Sequence, residues 1–321
     1  MKWTIPLGAL LLALKLVNPS LASDEMPPRA GGKTDEPITQ AGFDGLHVMS
    51  GTPGYVKTPL GLLHYWSLGR GPTIVLLHQG PLFAVEFAKI QPLLAKQGFR
   101  TLAVDIPAFG FSQRPDHPAT GDEYAASFAA LLDTLGIKRA AFAGTHTGAT
   151  LALAFAARYP KRTACLTLQG IPVYSGEELS ERLYTSPPDT RIYSDGRHIP
   201  LWWNRVVTKQ DLSKASPESL QWLMIGSMLS GDVNWYGPST GETFVTRAFD
   251  SVAALRKVTA PTLIMSVKGN SLEPSDHRAM KLRPDFTLLE IPAHHALVTY
   301  DDPDLWAEAV GSFARNKCSM M

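Results

Sequence analysis

Short apolar runs bounded by turn residues alternate along most of this chain with stretches of helical period. Thr73-Ile-Val-Leu-Leu-His78 is an unbroken apolar run of the kind that a strand buried on both faces needs. Similar runs at Arg100 to Val104, Ala140 to Ala143, Cys165 to Leu168, Thr262 to Ser266 and Phe286 to Ile291 predict further strands. Two short extended stretches, near Tyr55 to Lys57 and Leu63 to Trp66, precede them. Helix-like patterns fall between the runs at Phe83 to Lys96, Glu123 to Leu135, Thr147 to Arg158, Pro274 to Leu282 and Pro303 to Arg315. This alternation predicts the α/β class, with a mostly parallel central sheet covered by helices on both faces.

The alternation stops from about Ile171 to Lys257, a stretch too long for a plain loop. Helix-like patterns at Glu177 to Tyr184, Ser219 to Leu229 and Thr243 to Leu255 make it an inserted helical cap over residues 171–257, splitting a core of residues 40–170 and 258–317. Trp202, Trp203, Trp222 and Trp235 lie in it with Met224 and Met228, apolar and adaptable side chains suited to roofing a pocket. Of these, Trp202, Trp203, Trp222 and Met224 are the candidate pocket residues; the alternative is that they only glue cap to sheet.

Composition narrows the partners. Thirty basic residues against twenty-nine acidic ones leave no basic surplus, which argues against nucleic acid and for a small, weakly charged ligand or substrate. Residues 1–22 read as an export signal: one early lysine, an apolar stretch from Ile5 to Leu14, and small residues Ser20 and Ala22 flanking Leu21. The stretch is short for a spanning helix, so no membrane anchor is expected after cleavage, and the mature protein would be periplasmic or secreted. Residues 23–39, rich in Pro, Gly and charge, read as a disordered lead-in. Two cysteines are too few for a disulfide framework or a thiolate metal cage, and Cys165, in an apolar run, reads as core.

The chemistry concentrates where a strand runs into Gly144-Thr145-His146-Thr147-Gly148-Ala149 and then a helix. The shape is that of G-x-S-x-G, a tight turn whose glycines let one side chain project above the carboxyl edge of a sheet. His78-Gln79-Gly80-Pro81 stands where an H-G-x-P would, Asp105-Ile-Pro-Ala-Phe-Gly-Phe-Ser112 is similar to D-x-P-G-F-G-x-S, and Pro261-Thr-Leu-Ile264 opens the late strand. With these motifs in this order, the chain from about Gly61 onward resembles the α/β-hydrolase superfamily, in particular the capped branch of epoxide hydrolases, haloalkane dehalogenases and carbon–carbon bond hydrolases.

That resemblance implies a nucleophilic Ser, Asp or Cys at the apex, where this sequence has His146. It implies an acid near Asn270, which carries no charge, and a histidine near Ala296, where His294 and His295 come just before; a one-residue shift would let His295 serve. It also implies an oxyanion hole made by the backbone N–H groups of Thr147 and Gly80, which depends on no side chain. A helix N-terminus disfavours imidazolium, so His146 is expected neutral, able to attack an acyl group, take a proton from water or bind a metal. The expected activity is hydrolysis of a small apolar ester or related carbonyl compound, with no cofactor. Two alternatives stand beside it: a binder that has lost the chemistry, and a metal site should His146, His198 and His295 converge. His78 and Asp105 are expected to brace their loops, and Asp232, Asp276 and Lys268 to be solvated.

Overall fold

Eight strands form one sheet in the order β1-β2-β4-β3-β5-β6-β7-β8: β1 (Thr52–Thr58), β2 (Gly61–Leu68), β3 (Thr73–Leu77), β4 (Arg100–Val104), β5 (Ala140–Thr145), β6 (Thr163–Gln169), β7 (Thr262–Val267) and β8 (Thr287–Ile291). β2 pairs antiparallel with β1 and β4, and every later pairing is parallel. The computed structural model describes residues 45–117, 119–174, 178, 192–207, 216–230, 249–292 and 297–318, with backbone alone at 202 and 205–207. All of them lie in the unit Gly42–Met321. The expected signal segment and lead-in, and the helix expected at Glu177 to Tyr184 apart from Glu178, lie outside the described residues.

The helices are α1 (Ile90–Lys96), α2 (Gly121–Thr134), α3 (Thr147–Arg158), α4 (His198–Val207), α5 (Pro217–Ser230), α6 (Ser251–Lys257), α7 (Glu273–Leu282), α8 (Val298–Asp301) and α9 (Pro303–Lys317). Because side chains alternate across a strand, β3 sends Val75 and Leu77 into one core and Ile74 and Leu76 into the other, and all four are fully buried. Each such burial contributes about 1.5–3 kcal/mol, which favours the centre of the sheet for this strand. One core takes Phe128 of α2, Phe155 of α3 and Leu255 of α6; the other takes Leu94 of α1 and Trp306 of α9.

After β3 the chain pairs β4 on one side and β5 on the other, so the order reverses around β3. Such a switch opens a crevice at the carboxyl ends of the strands. Both the His78 loop and the His146 turn leave from those ends.

Three expectations need correcting. The helix expected over Phe83 to Lys96 is a 3-10 turn at Ala84–Phe87 followed by α1, because the Ala84 N–H is taken by Asp105 Oδ1 at 2.6 Å and Glu86 turns inward. Helix α4 begins at His198, in a stretch where no helix was expected; Pro200 is tolerated in its first turn. Cys165 is buried, as expected, but is disulfide-bonded to Cys318 just beyond α9, with Cα atoms 5.3 Å apart. Two cysteines far apart in sequence gave no pairing signal; the packing of α9 against β6 brings them together.

Candidate functional site at the β5 turn

His146 stands at φ 47°, ψ −107°, a left-handed region that costs a residue with a side chain about 1–3 kcal/mol. The turn is held by its N–H donating to the Gln169 carbonyl at 2.8 Å and by its carbonyl accepting from the Thr150 N–H at 3.1 Å. Sharpness comes from the glycine at 148, where a Cβ would lie 1.9 Å from the Leu77 carbonyl oxygen, so only glycine lets α3 start this close to β3.

The ring leans over Gly170, where a Cβ would meet its Cδ2 at 2.7 Å and Nε2 at 2.9 Å. Beyond it lies Asn270, whose Oδ1 accepts from the Leu272 N–H at 2.9 Å. That bond fixes the amide's orientation and turns Nδ2 toward His146 Nε2 at 3.4 Å. A donor there requires a bare Nε2, so the hydrogen-bond network assigns the proton of the neutral ring to Nδ1. Burial lowers the His146 pKa to about 4, so the ring is neutral at pH 7. The direction matches the sequence expectation, but desolvation rather than the helix terminus is the cause.

The two residues expected to form an oxyanion hole flank the carboxyl ends of β3 and β5. Gly80, half-buried, follows β3 with a cis bond to Pro81, and Thr147 is the first residue of α3. Among the described residues, no hydrogen bond engages the N–H of either. The Thr147 hydroxyl is also buried with no hydrogen-bond partner, an arrangement that costs about 1–3 kcal/mol unless a ligand completes it.

His78 and Asp105 brace their loops as expected. His78 Nδ1 donates to the Gln79 carbonyl at 2.9 Å and Nε2 accepts from the Ile106 N–H at 3.0 Å; burial lowers its pKa to about 4. Asp105 accepts from the N–H groups of Ala84 and Phe111 and pairs with buried His64 at 2.8 Å. Lys268 is exposed, as expected. Asp276 is not solvated: fully buried, it accepts from the Ile171 N–H at 2.9 Å, and desolvation raises its pKa well above the usual range.

Trp222 is buried edge-on against Phe83 at 5.7 Å, in a cluster with Leu82, Val85, Leu297 and Tyr300 that Trp203 also packs against. Met224 is buried on the same helix, α5. At Gly226 this helix approaches the oxyanion loop so closely that a Cβ would lie 2.4 Å from the Pro81 carbonyl oxygen. His198 is buried at the start of α4, its Nδ1 accepting from the Tyr193 N–H at 3.1 Å. The Trp202 side chain, Trp235, Asp232, His294 and His295 lie outside the described residues, and with His295 the three-histidine metal set. An open cleft of about 320 Å³ between Asp122, Arg158 and Lys257 lies at the far end of α3 from His146 and is no part of this site.

Sequence reasoning passed over Glu86 and His64. Both are charged-type residues inside apolar surroundings, and a buried polar residue of that kind is the one signal that marks them.

Sheet order, crevice and elbow together define the α/β-hydrolase fold, here with a histidine on its sharpest turn. The family model for the alpha/beta hydrolase fold matches residues 72–204. Among solved structures, a thermophilic esterase from Thermogutta terrifontis is similar at a TM-score of 0.65 and 21% identity, over 82% of this chain and 98% of that one. An enol-lactonase from Burkholderia xenovorans is similar at a TM-score of 0.65 and 21% identity, over 82% and 100%. Among curated relatives, 2-hydroxy-6-oxo-2,4-heptadienoate hydrolase of Pseudomonas putida is 36% identical over 107 residues, 32% of this chain and 38% of that protein. Bifunctional epoxide hydrolase 2 of Mus musculus is 32% identical over 125 residues, 37% and 22%. The matches thus span well under two thirds of these relatives' own length.

Proposed function

We propose that this protein hydrolyses a small, largely apolar ester or related carbonyl compound. The N–H groups of Thr147 and Gly80 polarise the carbonyl. Neutral His146 stands at the apex as a hydrogen-bonding group; water attacks the carbonyl carbon, and His295 carries the proton of that water to the alkoxide that departs as the acyl C–O bond breaks. The observation that carries this reading is the strained apex, where His146 is held over Gly170 beside two unengaged backbone donors and an orphan hydroxyl. The esterases and hydrolases among the relatives support it, and Trp222 and Met224 on α5, close to the oxyanion loop, support an apolar roof.

The test is a panel of chromogenic short-chain esters with His146→Ala and His295→Ala. Wild-type protein should turn over at least one ester, and the His146 change should cost at least as much as the His295 change. Unchanged turnover in His146→Ala would refute the role of that residue.

A second reading has its own support. Nε2 of His146 is engaged by Asn270, and no carboxylate stands at that position, so the same site serves a protein that binds a carbonyl ligand without converting it. Saturable binding with no product from any ester would select it. We further propose export to the periplasm or beyond; the signal-like residues 1–22 and the Cys165–Cys318 disulfide support an oxidising destination.

A further inference from the structure

Glu86 is a buried acid that the hydrolase reading leaves unused. It has no exposed surface, and its carboxyl meets four donors from three directions. Oε2 accepts from the Gln79 backbone N–H at 2.8 Å, and Oε1 lies 3.2 Å from Gln79 Nε2, both on the oxyanion loop. Oε1 also takes the hydroxyl of Thr145 at 3.0 Å, on the residue just before the apex. The fourth donor is the hydroxyl of Thr299 at 3.2 Å, in helix α8, which follows residues 293–296. One side chain therefore bonds the oxyanion loop, the elbow strand and helix α8 to one another.

We propose that Glu86 is the positioning residue of this site, its ionised carboxylate locking the oxyanion loop, the elbow strand and α8 into one register. The proposal rests on the hydrolase reading for its kinetic consequence only. A carboxylate accepts all four bonds at once, whereas a carboxylic acid must donate its own proton and so turn one hydroxyl round. Charge-assisted bonds are also shorter and about twice as strong as neutral ones, so ionisation tightens Gln79 and with it the neighbouring Gly80 N–H.

Burial pushes the Glu86 pKa up to about 7, against the four bonds that favour the charged form, so both states are populated near neutrality. Among the described residues, Gln79, Thr145 and Thr299 do not titrate in this range. Tyr300 on α8, whose hydroxyl donates to the Val85 carbonyl at 2.8 Å, is raised well above its usual value and stays neutral. His78, beside Gln79, is neutral down to about 4. Lys89, over the Tyr300 ring, is paired with Glu218 at 2.7 Å.

The experiment is an NMR titration of the full protein from acid to mildly alkaline pH, following the Gln79 amide and the Thr145 and Thr299 methyl groups, with Glu86→Gln alongside. All three signals should move with one midpoint near 7, and none should do so in Glu86→Gln. In ester kinetics, wild-type kcat should rise through that midpoint. Glu86→Gln should lose that limb and about tenfold in kcat above it, with KM changed less than about twofold. Separate midpoints, no midpoint, or a midpoint that persists in Glu86→Gln would overturn the proposal. If the variant does not fold, the wild-type titration decides alone. Absence of turnover with the common midpoint intact defeats the hydrolase reading and leaves the positioning role standing.

Discussion

Replacing Asn270 with Asp should turn His146 from a neutral ring into a titrating one. The Asn270 Oδ1 bond to the Leu272 N–H survives the change, so the new carboxylate oxygen takes the place of Nδ2, 3.4 Å from His146 Nε2. At that separation an ion pair gains about 5 kcal/mol at an effective dielectric constant near 20. At 1.36 kcal/mol per pKa unit, this equals a rise of roughly three to four units. Part is lost because Asn270 is half-buried and water screens the pair. Starting from about 4, the His146 midpoint should still reach at least about 6.5. The ring should also move its proton to Nε2 to donate to the carboxylate. Imidazole ¹⁵N–¹H spectra across pH, with His146→Ala to assign the signal, report both changes. A midpoint that stays below about 5 in Asn270→Asp would refute the contact and the tautomer derived from it.

Three further outcomes are expected. The Cys165–Cys318 bond spans 153 residues, and losing such a link typically costs about 2–5 kcal/mol, so reduction should lower Tm by roughly 5–15 °C in a calorimetric scan. Exported protein should begin near Ser23 and show no free thiol; an intact leader or two free thiols would refute export. Glu86, raised from 4.5 unfolded to about 7 folded, contributes stability that is whole below 4.5 and lost as pH rises through 7. Glu86→Gln should therefore gain on wild type by about 3 kcal/mol between those limits in urea unfolding, while wild-type activity moves the other way. A pH-independent difference would contradict the buried acid.

The parallel sheet was legible because runs such as Thr73 to Leu77 and Thr262 to Val267 are apolar on both faces, a pattern that few other placements tolerate. The elbow was legible because Gly148 and Gly144 answer to backbone contacts that no other residue permits. Helix α4 was hidden by Pro200 and by neighbours whose partners come from tertiary packing. The break between Phe87 and Ile90 was hidden because its cause, Asp105, comes from the loop that follows β4. Glu86 was invisible for a similar reason: a lone acid in a helical pattern reads as a solvated face, and only the fold shows three segments converging on it. Asp276 was misread on the same ground.

The collapse of the relay argues for where chemistry in this site has to come from. In the usual arrangement an imidazole stands between apex and acid, bonded to both, so those two residues do not touch. Here the apex side chain reaches Asn270 directly at 3.4 Å. That distance leaves no room for a second ring between them. While His146 keeps this contact no imidazole stands between the two as the middle member of a triad, so the proposed reaction leaves His295 the single task of carrying a proton from water. The apex ring has taken the place of the missing imidazole, and an amide that only orients has replaced the acid that would have charged it. Such a pair does not make a strong nucleophile. In the hydrolysis proposed above, it leaves a neutral ring at the apex and the two unengaged backbone N–H groups to stabilise negative charge on a carbonyl oxygen, with the attacking oxygen supplied by water.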